Sequence, residues 1–422
     1  MQASSITTAS VIGLGYIGLP TAAMFASRKI KVIGVDVNQH AVDTINQGKI
    51  HIVEPELDMI VHAAVTQGYL RATTKPEPAD VFLIAVPTPF MGDHEPDLTY
   101  VKAAVESIAP VLKKGDIVIL ESTSPVGTTE KMLAWLTLAR PDLRLPVDNA
   151  SDVDINIAYC PERVLPGHVV RELVENDRII GGLSAACSEK AADVYRIFVK
   201  GKLLISNART AEMCKLTENA FRDVNIAFAN ELSLICAKLD INPWELIKLA
   251  NHHPRVNILQ PGCGVGGHCI AVDPWFIVDK TPEEARMIRT AREVNDHKPA
   301  WVLGKIHEAV AALTTSGLEE SAIKVAVLGL AFKPNIDDLR ESPALHIAKQ
   351  FAQTTRSQLL LVEPNIKTLP EVLASHKLVP LDDALVQADV VVFLVNHREF
   401  AGIKTLLNPQ TQLVDAIGID FI

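Results

Sequence analysis

The sequence lacks a basic excess, a membrane-length apolar run and closely paired cysteines. It holds 40 lysines and arginines against 50 aspartates and glutamates, a formal net charge of -10. A surface that binds nucleic acid needs the opposite balance, so we expect no nucleic-acid partner. No apolar run approaches the length that crosses a membrane, and no basic residues precede the first apolar run. We therefore expect neither a membrane span nor a secretory signal.

The cysteines are few and irregularly spaced. The six of them form no CxxC pair, and we expect no metal site. A large chain that is not secreted keeps its thiols reduced, so the sequence indicates a cytoplasmic protein. A disulfide between Cys263 and Cys269 is an alternative, although it would clamp a glycine-rich segment.

The order of strand and helix patterns predicts the fold class. Apolar residues make up 48% of the chain, enough for two or three domains. Strand and helix patterns alternate over 1–205, helix patterns alone fill 206–310, and a second alternating series covers 320–422. We predict an α/β protein with two Rossmann-like, doubly wound parallel-sheet domains joined by a central helical domain. Long helices between such domains commonly pack against a second copy, which favours a homodimer.

The segment GLGYIG is the first functional motif. Gly13, Gly15 and Gly18 have GxGxxG spacing between a predicted strand and a predicted helix. These glycines allow a tight turn, close approach of a pyrophosphate, and close packing of helix on strand. Asp36 ends the next predicted strand, where a carboxylate binds ribose hydroxyls and repels a 2′-phosphate. The motif predicts NAD rather than NADP, and a purely structural turn is the alternative.

Two loops after predicted strands carry polar residues. Thr88 and Thr123 follow the third and fourth apolar strands, where ligands bind in sheets of this kind; capping and turn roles are the alternative. Glu162 and Arg163 lie in the proline-bracketed segment CPERVLPG. They are predicted to hold charged groups in place, with a surface ion pair as the alternative.

Polar residues also share one face of the predicted middle helix. Lys215, Asn219 and Arg222 have the spacing i, i+4, i+7, so they lie side by side. A lysine, an amide and a guanidinium together can bind an anion or stabilise a developing oxyanion. A solvated polar face is the alternative.

The segment QPGCGVGGHCIAVDPWF combines a thiol with flexible backbone. Cys269 is a candidate nucleophile if nearby cations or N–H donors favour its thiolate. Gly264, Gly266 and Gly267 would let another group approach the backbone closely, and Asp273 could order a water or a lysine. A tight turn with an incidental thiol is the alternative.

In AFKPNIDDLRES, Lys333 and Arg340 lie at the mouth of the second predicted sheet, which suits a diphosphate or nucleotide.

With these residues in hand, the chain resembles the UDP-glucose/GDP-mannose dehydrogenase family along nearly its whole length. The matching segments are VIGLGYIGLP, VPTP, ESTSPVGTT, KLTENAFRDVNIAFANEL, GVGGHCIAVDP and GLAFKPNIDDLRESP. The resemblance implies oxidation of C6 of a UDP-sugar from alcohol to carboxylate, with two NAD and one water consumed. It also implies that Cys269 attacks the intermediate aldehyde while the glycines admit the C6 end of the sugar.

The resemblance assigns a role to each candidate residue. The catalytic residues would be Cys269, Lys215, Asn219, Asp273, Glu162 and Thr123, with Lys215 or a water near Asp273 as the base. NAD would contact Gly13, Gly15, Tyr16, Ile17, Gly18, Asp36, Thr88 and Thr129. The UDP-sugar would contact Arg163, Val164, Lys215, Asn219, Arg222, His253, Arg255, Gly264, Phe332, Lys333 and Arg340. Arg255 is a candidate to reach the site of the second subunit.

The identity of the sugar depends on the loop CPERVLPG. Together with HPRVNILQPG, this loop is most similar to members that oxidise UDP-N-acetyl-D-mannosamine for bacterial surface polysaccharides such as enterobacterial common antigen. Members acting on UDP-glucose typically have a second glutamate where this chain has Pro166. UDP-N-acetylglucosamine and UDP-glucose are the alternative substrates. Two other positions depart from the family pattern: Cys263 replaces an expected proline, and Ile417 replaces a basic residue.

Two other classes of function compete with this prediction. One is a two-electron hydroxyacid dehydrogenase of the 6-phosphogluconate type, whose chemistry has no use for Cys269. The other is a non-catalytic sensor of nucleotide sugars. The complete set of Lys215, Asn219, Cys269 and Asp273 argues against the sensor.

Overall fold

The structure, a computed structural model, describes residues 6–52, 54–92, 94–147, 150, 152–165, 167–267 and 269–419. Pro166, on which the argument against UDP-glucose depends, lies outside these residues. The chain divides into two compact units, Met1–Glu218 and Asn219–Ile422.

An eight-stranded sheet forms the centre of the first unit. Its strands are β1 (Thr8–Ile12), β2 (Lys31–Val35), β3 (Leu70–Thr73), β4 (Val81–Ile84), β7 (Ile117–Leu120), β8 (Asn156–Tyr159), β9 (Arg178–Gly182) and β10 (Leu203–Asn207), and a short hairpin pairs β5 (Phe90–Met91) with β6 (Glu95–Pro96). The strand order is β10-β9-β8-β7-β4-β1-β2-β3. All neighbours are parallel except β8 and β9. The continuous apolar runs of the sequence become strands buried on both faces, as parallel sheets require.

Helices cover both faces of this sheet. They are α1 (Gly18–Ser27), α2 (Gln39–Asn46), α3 (Leu57–Thr66), α4 (Thr99–Ile108), α5 (Thr128–Ala139), α6 (Val169–Glu175) and α7 (Ala185–Tyr195). One core contains side chains from α1, α2, α3, α6 and α7, and the core on the opposite face contains side chains from α4 and α5. The strand order reverses between β1 and β4. In such sheets ligands bind beyond the carboxyl ends of the strands at this switch point. The loops after β1 and β4 are therefore the expected place for a cofactor.

The second unit combines helices with a smaller sheet. The long helix α8 (Ala208–Leu239) starts in the first unit and continues into the second, followed by α9 (Pro243–Ala250), α10 (Asp273–Lys280) and α11 (Arg286–Thr315). The sheet holds β11 (Lys324–Leu328), β12 (Gln358–Val362), β13 (Val390–Phe393) and β14 (Gln412–Asp415), with helices α12 (Pro343–Thr354) and α13 (Leu381–Gln387). Its order is β12-β11-β13-β14, and all pairs are parallel. Helices α11 and α12 pack on one face, and α13 packs on the other.

The predicted fold class is confirmed: two parallel-sheet α/β regions flank a helical one. Helix α11 continues to Thr315, past the predicted end of the helical domain at 310. A 3₁₀ turn at Glu320–Ala322 lies between α11 and the first strand of the second sheet. Within the described residues, no helix has the length and apolarity needed to cross a membrane.

Candidate active site

The three glycines after β1 have three different surroundings. Gly13 has φ +90°, and a Cβ there would lie 2.7 Å from the Ala85 carbonyl oxygen after β4. A Cβ on Gly18 would lie 1.8 Å from the carbonyl oxygen of Gly13, so helix α1 fits against the turn only with glycine. At Gly15 no atom lies within 4 Å of the position of a Cβ. This open space at a helix start is what a pyrophosphate needs, so the residues fit NAD.

Asp36 supports the same turn through its carboxylate. Its Oδ2 accepts from Leu14 N at 2.8 Å, and its Oδ1 accepts from Asn38 N at 2.8 Å. The side chain is half-buried at the end of β2, which leaves part of the carboxylate accessible to a ribose. Tyr16 is 41% exposed beside the turn, and Ile17 directly precedes α1.

Two of the three predicted threonines lie together, and the third is withdrawn. Thr88 Oγ1 donates to the carbonyl oxygen of Thr123 at 2.6 Å, which joins the loops after β4 and β7. Thr129 is fully buried, and its hydroxyl donates to Glu212 Oε1 at 2.7 Å. We expected Thr129 to contact NAD; its hydroxyl holds α5 to Glu212 on α8, and the NAD contact stays a prediction.

Glu162 lies in a buried ion pair, neither at the surface nor free to hold a water. Its Oε2 lies 2.9 Å from Arg178 Nη2, and the two side chains are 7% and 4% exposed. Its Oε1 accepts from Arg163 N at 2.6 Å. The carboxylate therefore holds the loop 160–165 in place, and the catalytic role that the resemblance assigns to Glu162 stays a prediction.

The next residues of the loop face a different partner. Arg163 Nη2 lies 2.7 Å from Glu218 Oε1 on α8, and Arg163 Nε donates to Glu218 Oε2 at 3.0 Å. Val164 beside it is half-buried. Because Glu218 lies three residues after Lys215 on α8, this bidentate pair ties the loop to the helix face that carries Lys215.

A second buried carboxyl lies beneath the loop. Glu121 follows β7, and its Oε1 accepts from Tyr195 Oη at 2.6 Å. Burial raises the pKa of Glu121 to about 7, although the charge of Arg178 opposes the increase. Burial likewise raises the pKa of the Cys160 thiol to about 11. Cys160 is thus an inert core residue.

The predicted helix face exists on α8. Lys215 and Asn219 lie one turn apart and are both half-buried, whereas Arg222 is exposed. Asn219 Nδ2 donates to Oδ2 of Asp273, the first residue of α10. Asp273 is 2% exposed. The carboxylate thus orients the Asn219 amide, a contact that the spacing of the two residues in the sequence does not reveal.

The two cysteines of the glycine-rich segment differ in environment. Neither of them forms a disulfide, so the alternative pairing is absent. Cys263 is buried among side chains of the second sheet, and burial raises its pKa to about 12. Cys269 is exposed, and its carbonyl oxygen accepts from Asp273 N at 2.8 Å. Cys269 is therefore held at the start of α10 beside the Asn219–Asp273 pair.

The glycines of this segment make room for protein rather than for open space. A Cβ on Gly266 would lie 2.4 Å from the carbonyl oxygen of Glu341. A Cβ on Gly264 would lie 3.0 Å from Pro343. Gly267 has φ +83°, and a Cβ there would lie 3.1 Å from the ring of Phe332. We expected these glycines to admit a sugar; their close contacts with 332–343 account for them instead.

The remaining predicted contacts are mostly exposed. Lys333, His253 and Arg255 are solvent-accessible, and Phe332 is half-buried. Arg340 Nη2 lies 2.6 Å from Asp338 Oδ2. Ile417 is only 9% exposed and belongs to a core of the second sheet, so a basic residue would have to be buried there.

Comparison with known proteins defines the class. The UDP-glucose/GDP-mannose dehydrogenase family matches through its NAD binding domain over residues 7–199, its central domain over 209–297 and its UDP binding domain over 326–419. The chain belongs to this family. It is therefore an NAD-dependent dehydrogenase, and its N-terminal region binds NAD.

Individual relatives cover almost the whole chain. It is 64% identical to a UDP-N-acetyl-D-mannosamine dehydrogenase of Escherichia coli K12, over 98% of this chain and 99% of that protein. It is 61% identical to an NDP-N-acetyl-D-galactosaminuronic acid dehydrogenase of Ralstonia nicotianae, over 98% and 96%. The solved structure of a UDP-D-ManNAc dehydrogenase from Pyrococcus horikoshii superposes with a TM-score of 0.86 at 39% identity, covering 98% of this chain and 96% of that one.

Sequence reasoning missed the acidic and basic residues that hold the site loops. Arg178, Glu212 and Glu218 each bind a predicted site residue or its loop. Glu218 had a signal, because it lies inside the quoted segment KLTENAFR beside Asn219. Arg178 and Glu212 had no signal in the sequence, because their partners are 16 and 83 residues away.

Proposed function

We propose that this enzyme oxidises C6 of UDP-N-acetyl-D-mannosamine to the uronic acid, in two NAD-dependent steps at one site. The observation that carries the proposal is the exposed Cys269 beside the Asn219–Asp273 hydrogen bond, in a chain with an NAD-binding turn. A single two-electron oxidation has no use for a nucleophilic thiol. The relatives named for the same sugar support the choice of substrate.

The first oxidation converts the C6 alcohol to an aldehyde. Two NAD molecules, bound one after the other, would supply the hydride acceptors for the two oxidations. Lys215, or a water held near Asp273, removes the hydroxyl proton as the hydride leaves C6. Cys269 Sγ then bonds to C6 as the C6–O π bond opens and the thiol proton passes to that oxygen. The resulting thiohemiacetal keeps the aldehyde from escaping.

The second oxidation and hydrolysis complete the reaction. Loss of a second hydride from C6, with the hydroxyl proton passing to the base, leaves a thioester. Lys215 and the Asn219 amide stabilise the oxyanion of each tetrahedral species. Water attacks the thioester carbon, the C6–Sγ bond breaks, and the acid leaves. Because Asp273 N donates to the carbonyl oxygen of Cys269, we assign the placing of this water to Asp273, with Thr123 completing the catalytic set.

The remaining contacts follow the family resemblance. We assign NAD to Gly13, Gly15, Tyr16, Ile17, Gly18, Asp36 and Thr88, with Thr129 acting through the α5 start that it holds. We assign the UDP-sugar to Arg163, Val164, Arg222, His253, Arg255, Gly264, Phe332, Lys333 and Arg340. The division into an NAD domain at 1–205, a central domain at 206–310 and a UDP-sugar domain at 320–422 remains our prediction. A cytoplasmic location is part of the same proposal.

A homodimer is supported by the surface of α8. Four large apolar side chains lie exposed along it at spacings of seven, seven and four residues: Phe221, Phe228, Ile235 and Leu239, at 68%, 51%, 47% and 60% exposure. We call them the α8 stripe. Heptad spacing is typical of a helix that packs on another helix, and a two-fold dimer pairs the same surface of each copy. We propose that a second copy covers this stripe and receives Arg255 in its site.

Other nucleotide sugars are the alternative substrates. The Ralstonia relative is named for N-acetylgalactosaminuronic acid, so the sugar differs among relatives with nearly the same identity to this chain. UDP-N-acetylglucosamine and UDP-glucose complete the set to be tested.

The deciding experiment is the yield of NADH per nucleotide sugar. Two NADH per UDP-N-acetylmannosamine, with little from UDP-N-acetylgalactosamine, UDP-N-acetylglucosamine or UDP-glucose, would support both substrate and mechanism. Two NADH from another sugar would retain the mechanism and change the substrate. Cys269→Ser should abolish formation of the acid, whereas full activity in that variant would favour a two-electron dehydrogenase. Cys263→Ala is the matched control, since its buried thiol has no part in the chemistry.

A further inference from the structure

A buried acid and a buried histidine meet at the carboxyl edge of the second sheet. Glu363 follows β12, His397 lies beyond β13, and both side chains are fully buried. His397 Nε2 lies 2.9 Å from Glu363 Oε2. His397 Nδ1 accepts from the backbone N–H of Asn335 at 3.0 Å. Because that N–H can only donate, Nδ1 carries no proton, and the ring donates from Nε2 to Glu363.

The pair holds one short loop at both ends. Glu363 Oε2 accepts from Leu330 N at 2.7 Å and from Ala331 N at 3.0 Å. Burial alone would raise the pKa of Glu363, but hydrogen bonds from His397 and from the amides of Leu330 and Asn365 lower it to about 2. Glu363 thus fixes the start of the segment 330–335, and His397 fixes its end at Asn335. Phe332 and Lys333 lie between the two anchors.

The same hydrogen-bond pattern occurs at the NAD turn of the first unit. There Asp36 accepts from the amide that follows Gly13 and from an asparagine two residues after itself. Glu363 accepts from the amide that follows Gly329 and likewise from an asparagine two residues after itself. Gly13 and Gly329 have φ values of +90° and +93°. The two units therefore build the turn after their first strand in the same way.

The accessibility of the two acids differs. Asp36 is half-buried, as an acid that binds a ribose must be. The Glu363 carboxylate is fully buried, with His397 against it. In a dinucleotide-binding fold, the acid at this position accepts hydrogen bonds from a ribose. In the second unit this acid is Glu363, and it binds His397 instead.

We infer that His397 and Glu363 are positioning residues that close the ribose position of the second unit and set the 330–335 loop for the uridine diphosphate. The inference rests on the proposed function, in which Phe332 and Lys333 contact that group. Phe332 also packs against Gly267, two residues before Cys269. The loop therefore has to be held firmly on the nucleotide side of the substrate.

Two substitutions of His397 separate the hydrogen bonding of Nδ1 from that of Nε2. His397→Asn keeps an acceptor near Nδ1 for Asn335 and loses the donor to Glu363. His397→Gln keeps a donor near Nε2 and removes the acceptor from the Asn335 N–H, whose hydrogen bond to His397 is half-buried. Loss of one such hydrogen bond reduces affinity on the order of five- to tenfold. We expect the Kd for UDP, measured by calorimetry, and the KM for the UDP-sugar to rise by that factor in His397→Gln and by less in His397→Asn.

Measurements of ligand binding separate a positioning role of His397 from a role in stability alone. The KM for NAD should stay unchanged in both variants, because NAD binds the first unit. Phe351→Leu is the stability control, since Phe351 is fully buried on α12 of the same unit and outside the loop. It should lower Tm without changing the Kd for UDP.

The outcomes separate this inference from the proposed function. If His397→Gln lowers Tm but binds UDP like the wild type, or if Phe351→Leu weakens UDP equally, the positioning role is wrong. Wild-type protein that fails to bind UDP would instead overturn the proposed function, and this inference with it.

Discussion

Arg178 holds Glu162 from beneath the loop that carries Arg163 and Val164. The guanidinium is 2.9 Å from the carboxylate, and it also lies 4.7 Å from the centre of the Tyr195 ring. One buried cation thus anchors a loop that we assign to the nucleotide sugar. The loop's geometry depends on a side chain from the neighbouring strand, β9.

Removing Arg178 should destabilise the protein more than removing both partners. Arg178→Met leaves Glu162 buried without its counter-ion, which typically costs about 3–5 kcal/mol. In Arg178→Met/Glu162→Gln no such uncompensated charge remains, so part of this loss should be recovered. Urea unfolding of the two single variants and the double variant measures the coupling. Strictly additive losses would show that the pair does not act as a unit.

A surface ion pair provides the control. Arg196 pairs with Asp193 where both side chains are more than half exposed. Exposed pairs contribute about 0–1 kcal/mol, so Arg196→Met should be nearly neutral.

Glu121 should make stability fall as pH rises. Its pKa is raised to about 7 in the folded protein by burial, against about 4.3 for an unfolded glutamate. The folded state therefore binds a proton more tightly, and this contribution is complete below the unfolded pKa. It is lost as pH rises through about 7. Glu121→Gln, which mimics the protonated acid, should gain on the order of 1–3 kcal/mol over wild type between pH 5 and pH 8.

The measurement is unfolding of both proteins at the two pH values. Glu106→Gln is the control, because Glu106 lies in an exposed pair with Lys102. It should show no such pH-dependent gain. An equal difference between Glu121→Gln and wild type at pH 5 and pH 8 would show that Glu121 is ionised throughout.

The sequence predicted what depends on local pattern and missed what depends on distant contacts. The strand–turn–helix at Gly13 and the shared face of Lys215 and Asn219 follow from spacing along one element, and both are present. The Thr129–Glu212 hydrogen bond joins residues 83 apart in the sequence. No local pattern could therefore show that the Thr129 side chain is buried against Glu212. The sequence predicted that the glycines before Cys269 leave space for another group. The group that occupies this space is the segment from Phe332 to Pro343, which packs against them.

Two glycines of the NAD turn, Gly15 and Gly18, should respond differently to alanine. A methyl group at Gly15 meets no protein atom, so Gly15→Ala should leave stability within about 0.5 kcal/mol while obstructing the pyrophosphate. We expect the KM for NAD to rise on the order of tenfold or more, with the KM for the UDP-sugar unchanged. Gly18→Ala places a carbon 1.8 Å from a backbone oxygen, so it should prevent stable folding.

Gly304 in α11 serves as the neutral comparison. It too has no atom within 4 Å of a Cβ position, and alanine in a helix interior stabilises by about 0.5–1 kcal/mol relative to glycine. Gly304→Ala should leave the KM for NAD unchanged. If Gly15→Ala also binds NAD normally, the phosphates do not approach the turn at this residue.

The α8 stripe should control assembly. Phe228→Glu puts a charge in the middle of the stripe and should convert a dimer to monomer, measured by light scattering after gel filtration. Val386→Glu is the matched control, because Val386 is an 87% exposed apolar residue on α13, away from the stripe. A Phe228→Glu protein that keeps the mass of the wild type would place the interface elsewhere.

Mixing two inactive variants tests whether Arg255 acts across that interface. Arg255→Leu keeps Cys269, and Cys269→Ser keeps Arg255, so each homodimer should be inactive. In a two-fold dimer, subunit exchange would give one mixed site that combines the intact Cys269 of one chain with the intact Arg255 of the other. About half of the dimers are mixed, and one of their two sites works, so about a quarter of wild-type activity should return. Arg255 acting within its own chain would give no recovery, because no site would then contain both groups.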